Sequence, residues 1–241
     1  MKKILATILA VAMLATTFVG CGGGGDTAST PTDDGSAAAP EITACIGPEP
    51  ETLDPALNKS VDGACYAVHA FEGIYKFDEN GNTILGQAEK VDVSDDGLTW
   101  DITLRDDIKW SDGEPVTVDD FIYSWQRAAS PETASDYANL FDVIEGGADV
   151  YQGKADPSTL GVTKVDDTHM TVQLAAPCPY FDKLLAFPIY YPVRQDVVEG
   201  NDSWTQDPST FIGNGPMMLT DWSHKESITY VKNPYYYDAD K

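Results

Sequence analysis

Short stretches in which apolar and polar residues alternate recur along the chain, and this period of two predicts β-strands. The clearest one runs from Leu98 to Leu104, where every second residue is apolar. Further strands are predicted at residues 42–46, 73–77, 90–93, 162–165, 170–174, 217–222 and 228–231. We expect the first of these to be a buried strand and the last four to pair as two hairpins.

A helix is predicted from Val118, because several independent signals agree there. Thr117 can cap the helix, with Asp120 as the reciprocal capping partner three residues later. Phe121, Trp125 and Ala128 then follow at helical spacing, so one face is apolar. The helix should end near Ser130-Pro131, since a proline disfavours helix in the preceding residue.

Three more helices are predicted at residues 64–71, 139–152 and 180–187. Helices and strands are therefore mixed without strict alternation, which predicts an α/β fold of the mixed α+β kind. Trp100, Trp110 and Trp125 are expected in the core rather than at a binding surface.

The charge of the chain limits its partners. Its 241 residues carry a formal net charge of −24. Such an acidic surface repels nucleic acid and anionic lipid headgroups, so we expect neither as a partner. Residues 78–82 lack the later glutamate of a calcium loop and are predicted to form a hairpin turn. No metal site is expected.

Catalytic motifs are missing from the sequence. His69, His169 and His224 are expected on a helix, a strand and a turn, without the spacing of metal ligands. No nucleophile elbow, phosphate-binding loop or dinucleotide-binding turn occurs. We therefore expect a protein that is not an enzyme, has no catalytic residues and requires no cofactor.

The cysteines do not form a recognisable framework either. Cys45, Cys65 and Cys178 have no CxxC spacing, and their number is odd once Cys21 is set aside. They are expected to be three buried free thiols, with a Cys45–Cys65 disulfide as the alternative.

The first twenty residues have the features of a signal peptide. Lys2 and Lys3 precede an apolar stretch that is short for a membrane-spanning helix. Residues 18–21 resemble a bacterial lipobox, which makes Cys21 the expected lipidated residue; an ordinary cleaved signal is the alternative. Residues 21–40 would then comprise the lipidated cysteine and a flexible spacer, because they are too polar and glycine-rich to form a core.

A set of motifs after about residue 41 resembles a known family, the extracellular solute-binding proteins of peptide ABC importers, of the oligopeptide- and dipeptide-binding type. The motifs are Glu51-Thr52-Leu53-Asp54-Pro55, Phe71-Glu72-Gly73, Asp95-Asp96-Gly97-Leu98-Thr99-Trp100, Leu104-Arg105, the run Lys109-Trp110-Ser111-Asp112-Gly113 through Trp125, Ser130-Pro131-Glu132-Thr133-Ala134-Ser135, Pro179-Tyr180-Phe181-Asp182-Lys183-Leu184-Leu185, Asn214-Gly215-Pro216 and Lys232-Asn233-Pro234. Each motif alone is weak, but the set in this order is specific.

The resemblance implies a two-lobed fold of the type II periplasmic-binding-protein kind, with a ligand cleft between the lobes. It assigns residues 41–71 and 194–241 to a main lobe and residues 72–193 to an inserted subdomain. Family members continue into a second large lobe, so this chain is expected to be an N-terminal part with an incomplete main lobe. The expected protein is a monomer on the outer face of the bacterial cell membrane, which binds peptides and delivers them to an ABC permease.

The resemblance also implies ligand-binding positions. Val61 matches a loop position whose backbone faces the ligand, and Tyr137 matches a tyrosine that reaches the cleft from the subdomain. Asn214 and Gly215 match a contact on the main lobe. Each has a structural alternative: loop packing for Val61, a core or helix-start aromatic for Tyr137, and a plain turn for Asn214-Gly215.

Two other functions remain open on the sequence. One is the same fold with another cargo, such as nickel, heme, a sugar oligomer or a signalling peptide. The other is an acidic cell-surface module for adhesion or chaperone-like binding, which would take protein partners rather than a small ligand.

Overall fold

A computed structural model describes residues 41–239. The predicted signal peptide, the lipidation site Cys21 and the spacer up to residue 40 lie outside the described residues. Within the described range, no helix has both the length and the apolar character needed to cross a membrane. From residue 45 onward, the described residues form one compact unit, and the elements below belong to it.

The predicted strand at residues 42–46 is wrong. These residues have no regular secondary structure, and the residues Ile42 and Ile46 are 89% and 37% exposed. A strand needs a neighbour for its backbone hydrogen bonds, and no strand within residues 41–239 pairs with this segment.

Helix α1 spans Val61–Ala70. Ser60 is its N-cap, and the Ser60 hydroxyl accepts a hydrogen bond from Gly63 N–H at 3.0 Å. The helix therefore begins three residues earlier than predicted, and Val61 is its first residue rather than part of a loop. Ser60 was the signal that could have placed this start, because serine is a favoured N-cap.

Two antiparallel sheets follow. Strands β1 (Tyr75–Phe77) and β2 (Thr83–Leu85) form a hairpin, of which the sequence predicted only the first strand. The four-stranded sheet has the order β3-β4-β6-β5 and is antiparallel throughout. Its strands are β3 (Ala88–Val93), β4 (Thr99–Leu104), β5 (Val162–Lys164) and β6 (His169–Gln173).

The alternation that predicted β4 is confirmed by its burial. Trp100, Ile102 and Leu104 are buried, whereas the residues between them are partly exposed. Ile102 lies between Val91 of β3 and Met170 of β6 in the register of the sheet. One face of the sheet therefore contributes to the hydrophobic core.

Helix α2 spans Val118–Ala129, as predicted. Its capping box is formed: the Asp120 carboxylate accepts hydrogen bonds from Thr117 N–H at 2.8 Å and from the Thr117 hydroxyl at 3.2 Å. Phe121 and Trp125 are fully buried, and the Trp125 indole N–H donates to the backbone oxygen of Tyr190 at 2.8 Å. Trp100 and Trp110 are also buried, so all three tryptophans belong to the core.

The helix predicted at residues 139–152 is interrupted. Ala138–Val143 form a 3-10 helix, and α3 covers only Gly147–Tyr151. Between them, Ile144 forms an isolated antiparallel bridge with Leu174, and Glu145 N–H donates to the backbone oxygen of Gln173 at 2.9 Å. Pairing with the C-terminal end of β6 has displaced the helical hydrogen bonds at this point.

The rest of the chain is built from short elements. Helix α4 (Phe181–Leu184) is shorter than predicted, and α5 (Gln195–Val198) was not predicted. Two further 3-10 turns lie at Pro157–Thr159 and Pro188–Tyr190. The predicted final hairpin is confirmed as β7 (Met217–Ser223) and β8 (Ser227–Lys232).

The three described cysteines are free thiols. Cys178 is buried as expected, but Cys45 is exposed and Cys65 is partly exposed. The prediction of three buried thiols is therefore wrong for these two. Cys45 lies in the segment that forms no strand, which explains why it is not covered.

Candidate functional site

Two of the predicted ligand-binding residues, Val61 at the start of α1 and Tyr137 at the end of a loop, follow segments that contact each other. Lys59 Nζ is 3.5 Å from a carboxylate oxygen of Asp136, and 3.6 Å from one of Glu51. Val61 follows two residues after Lys59, and Tyr137 follows directly after Asp136. The ion pair therefore brings the start of α1 and the loop of residues 130–137 together at one surface.

Val61 presents its backbone at this surface. As the first helical residue after the cap, it belongs to the turn whose N–H groups have no partner within the helix. Val61 as a whole is 81% exposed and does not belong to the core. The Ser60 hydroxyl already accepts from Gly63 N–H, so the N–H groups of Val61 and Asp62, together with the positive end of the helix dipole, favour an oxygen acceptor at this point.

The position of Tyr137 is fixed by a ring contact and by the loop that precedes it. Its ring packs edge to face against Phe187, with the ring centres 5.5 Å apart. The loop before it is strained, because Ala134 has a φ of 54°, a conformation that costs an alanine about 1–3 kcal/mol. The Thr133 hydroxyl fixes the same loop by donating to the backbone oxygen of Arg127 at 2.6 Å. Tyr137 is thus a half-buried aromatic on a well-anchored loop.

A cleft of ≈ 700 Å³ is lined by residues on these two loops, among them Leu57, Glu132 and Thr133. This volume lies within the range of small-ligand sites, about 300–1,000 Å³. The other lining residues come from α2, from the segment of residues 195–204 and from Pro157; Val61 and Tyr137 are not among them. The cleft therefore lies across the predicted boundary between the main lobe and the subdomain.

An ion pair that the sequence did not single out is part of the cleft wall. The Asp54 carboxylate accepts hydrogen bonds from Arg127 Nη1 at 3.1 Å and Nη2 at 2.6 Å, and from the Trp204 indole N–H at 3.3 Å. Burial of Arg127 disfavours its charge, but the hydrogen bonds and the charge of Asp54 outweigh this and raise the pKa of Arg127. Asp54 and Arg127 are 73 residues apart in the sequence, so no local spacing indicates this pair.

Asn214 and Gly215 lie elsewhere. Asn214 is 1% exposed, and both polar atoms of its side chain contact the backbone of Glu72, just beyond the C-terminal end of α1. Gly215 N–H donates to the backbone oxygen of Ala70 at 2.8 Å. A ten-residue helix is about 15 Å long, so these residues and Val61 are at opposite ends of α1.

Gly215 also lacks space for a side chain. A Cβ there would come within 2.6 Å of both Ala70 C and Phe71 N. An ion pair thus joins Lys59 and Asp136, which lie next to Val61 and Tyr137 in the sequence, whereas Asn214 and Gly215 pack against the other end of the helix. A role in ligand binding stays a prediction for each of the four residues Val61, Tyr137, Asn214 and Gly215.

Comparison with known proteins gives a consistent result. Residues 83–241 match the family described as bacterial extracellular solute-binding proteins, family 5 Middle. The oligopeptide-binding protein OppA of Bacillus subtilis (strain 168) is 35% identical over 243 residues, which cover 100% of this chain and 44% of the relative. A dipeptide-binding protein of Lactococcus lactis subsp. cremoris is 43% identical over 173 residues, which cover 69% of this chain and 31% of the relative.

The fold is also that of a solved structure. The structure described as Listeria monocytogenes OppA bound to peptide superimposes with a TM-score of 0.76 at 38% sequence identity, over 78% of this chain and 38% of that chain. The mixed α/β fold predicted from the sequence is confirmed. The chain spans less than half the length of the relatives it matches.

Proposed function

The chain belongs to family 5 of the bacterial extracellular solute-binding proteins, and on that premise we propose that it takes part in capturing oligopeptides or dipeptides for an ABC importer. The family consists of binding proteins, which agrees with the lack of catalytic motifs in the sequence. Relatives named as oligopeptide- and dipeptide-binding proteins support a peptide as the ligand.

One observation supports the proposed location of the site: the Lys59–Asp136 ion pair links the segment just before Val61 to the residue just before Tyr137. An extended peptide can be held through its main chain while its side chains vary. The exposed N-terminal turn of α1 offers N–H groups to a peptide carbonyl, and Tyr137 offers an aromatic surface beside it. Neither contact depends on the peptide's sequence, as a receptor for varied peptides requires.

We further propose that this surface is one wall of a cleft that closes when a second lobe moves against it. A ligand that binds the closed form better than the open form shifts the equilibrium between them. The 241-residue chain should then bind peptides more weakly than the full-length Bacillus subtilis relative does.

The proposed setting is the outer face of the bacterial cell membrane. The signal peptide would export the chain, and lipidation of Cys21 would attach it as a monomer close to its permease. Several acyl chains on one cysteine would make this attachment stable, where a single chain gives only marginal binding.

A nuclear magnetic resonance titration of the 241-residue chain with a pool of short peptides tests the location, because the method detects weak binding. We expect the largest shifts at the amides of residues 58–62 and 135–138. The Bacillus subtilis relative, titrated with the same pool, serves as the positive control for the peptides. Absence of shifts in the 241-residue chain, or shifts confined to another surface, would contradict the proposed site.

A pair of variants at one position separates backbone from side-chain contact. Val61→Pro removes the N–H but suits the first position of a helix, where proline is favoured. Val61→Ala keeps the N–H and removes most of the side chain. We expect Val61→Pro to weaken binding and Val61→Ala to leave it nearly unchanged; the reverse order would exclude the backbone contact.

A further inference from the structure

A buried carboxylate lies at the predicted boundary between the main lobe and the inserted subdomain. Glu72 is 5% exposed, and it is the first residue of the predicted subdomain. On the subdomain side, Lys76 Nζ donates to Glu72 Oε2 at 2.9 Å, and Gln87 Nε2 donates to Glu72 Oε1 at 3.0 Å. These two partners lie on β1 and just before β3, so the carboxylate joins the β1–β2 hairpin to the strand that follows it.

The same carboxylate is contacted from the far end of the sequence. Tyr236 OH donates to Glu72 Oε2, and Tyr237 OH donates to Glu72 Oε1 at 2.7 Å. The ammonium group of Lys76 also donates to the hydroxyls of Tyr236 at 3.0 Å and Tyr237 at 2.9 Å. One carboxylate thus receives four hydrogen bonds, two from the predicted subdomain and two from the returning segment of the predicted main lobe.

Aromatic contacts reinforce this cluster. The guanidinium carbon of Arg105 lies 4.2 Å from the ring centre of Tyr237, and Lys76 Nζ lies 5.3 Å from the same ring centre. Such cation–π contacts are favourable, more so where water is partly excluded. Arg105 directly follows β4, so the contact extends from the tyrosine to the four-stranded sheet.

The backbone of Glu72 is fixed independently of its side chain. Asn214 Nδ2 donates to Glu72 O at 2.9 Å, and Asn214 Oδ1 accepts from Glu72 N–H at 3.0 Å. Glu72 therefore has main-lobe partners at residues 214, 236 and 237 and subdomain partners at residues 76 and 87. The Glu72 carboxylate is paired on both oxygens, whereas Gln87 Oε1 has no hydrogen-bond partner among the described residues. Buried hydrogen bonds of this kind rigidify the segments that they connect.

We propose that Glu72 is a positioning residue that clamps the inserted subdomain to the returning segment of the main lobe, so that the two move as one rigid body. The consequence for ligand binding rests on the proposed function. Val61 lies in the predicted main lobe and Tyr137 in the predicted subdomain, so a clamp between the two holds the peptide-facing surface ready before the ligand arrives.

Hydrogen exchange of the 241-residue chain with the substitution Glu72→Gln tests the clamp. Glutamine keeps the shape of the side chain but removes the charge that pairs with Lys76. Hydrogen bonds to a charged group contribute enough to stability that their loss should lower protection by about tenfold to a hundredfold. We expect this loss in both residues 73–87 and residues 233–237, while the amides shared by β4 and β6 stay protected.

Glu79→Gln is the matched control, because Glu79 is exposed in the turn of the β1–β2 hairpin. It should leave both segments as protected as in the unmodified chain. A loss of protection in Glu72→Gln that is confined to one of the two segments would overturn the clamp. So would a loss no larger than in the control.

A spectroscopic readout separates the cluster from a general loss of stability. Burial and, next, the charge of Glu72 raise the pKa of both Tyr236 and Tyr237. In folded Glu72→Gln, two tyrosines should therefore ionise at lower pH than in the unmodified chain, as followed by phenolate absorbance. Tyr236→Phe and Tyr237→Phe identify which steps belong to these residues, and an unchanged titration in Glu72→Gln would contradict the contact.

If Glu72→Gln does not fold, the double substitution Tyr236→Phe, Tyr237→Phe provides a second hydrogen-exchange test of the clamp. It removes both hydroxyls from the network and leaves the Glu72–Lys76 pair in place. The clamp predicts loss of protection in residues 73–87 as well as in residues 233–237; loss in the latter segment alone would overturn it. Neither measurement uses a peptide, so the clamp can hold even if the proposed ligand is wrong.

Discussion

Asn214 binds Glu72 through both ends of its side-chain amide, across 142 residues of sequence. The amide N–H₂ donates to the backbone oxygen of Glu72 at 2.9 Å, and the amide oxygen accepts from its backbone N–H at 3.0 Å. This pairing satisfies a buried N–H and a buried carbonyl where the chain leaves α1. A residue that the family resemblance implied as a ligand contact therefore has a structural task that accounts for its amide.

Replacing Asn214 by alanine should destabilise the chain strongly. Each buried backbone group left without a partner costs about 1–3 kcal/mol, so we expect the free energy of unfolding to fall by about 2–4 kcal/mol. Urea unfolding followed by circular dichroism measures this change. Asn80→Ala, in an exposed turn, is the control and should change stability by less than about 0.5 kcal/mol. Unchanged stability in Asn214→Ala, together with altered peptide affinity, would restore the ligand role.

Gly215→Ala tests the close approach next to it. The added Cβ would meet Ala70 C and Phe71 N at 2.6 Å, and backbone atoms at the end of a helix cannot move aside cheaply. We expect a loss of at least about 2–3 kcal/mol in the free energy of unfolding, or failure to fold. Gly200→Ala is the control: its φ is +75° but nothing lies within 4 Å of an added Cβ, so it should cost only about 1 kcal/mol. Equal losses in the two variants would contradict the steric account.

Arg127→Gln should break the ion pair in the cleft wall. Asp54 is 2% exposed, and removing one partner of a buried pair costs about 3–5 kcal/mol because the remaining charge is left uncompensated. The double variant Asp54→Asn, Arg127→Gln should be more stable than Arg127→Gln alone. Lys90→Gln is the control, since its pair with Asp92 is mostly exposed and worth less than about 1 kcal/mol. Thermal unfolding of the unmodified chain, Arg127→Gln, the double variant and Lys90→Gln measures their order of stability. If Arg127→Gln were as stable as Lys90→Gln, this account would be excluded.

Sequence patterns predicted the parts of this fold that depend on nearby residues. The Thr117–Asp120 capping box spans three residues, and the buried stripe containing Phe121 and Trp125 spans about one turn. The alternation in β4 gave its inward face correctly for the same reason, because side chains in a strand point to opposite faces. Local geometry is sufficient in each case.

The remainder depends on partners distant in sequence. The apolar residues Ile42 and Ile46 suggested a strand, but a strand also requires a neighbour, and hydropathy does not reveal whether one exists. Ile144 was predicted to be helical but instead pairs with Leu174, thirty residues later in the sequence. Glu72 stands out in the sequence only as part of the Phe71-Glu72-Gly73 motif, since nothing near it in sequence indicates contacts with residues 214, 236 and 237.

Stability should decline at alkaline pH, because several tyrosines are buried. Burial raises the pKa of Tyr190, Tyr191 and Tyr230 above the ordinary value for a phenol. In the unfolded chain the phenols ionise near pH 10, whereas in the folded chain they remain protonated to higher pH. Their contribution is therefore fully present below about pH 10 and is lost as the pH rises through the folded pKa values.

Each such tyrosine should lower the free energy of unfolding by about 1.4 kcal/mol per pH unit above about pH 10. Urea unfolding at intervals from pH 8 to pH 11.5 measures the slope. Tyr191→Phe removes the hydroxyl that donates to the backbone oxygen of Ala186 at 3.1 Å, so it should lower the free energy of unfolding at pH 8. It should also make the alkaline slope shallower by about 1.4 kcal/mol per pH unit, the contribution of one proton. Because a lost hydrogen bond and a lost ionisation affect different parts of the curve, the same variant tests both. A slope that stays unchanged in Tyr191→Phe would show that this phenol already ionises freely in the folded chain.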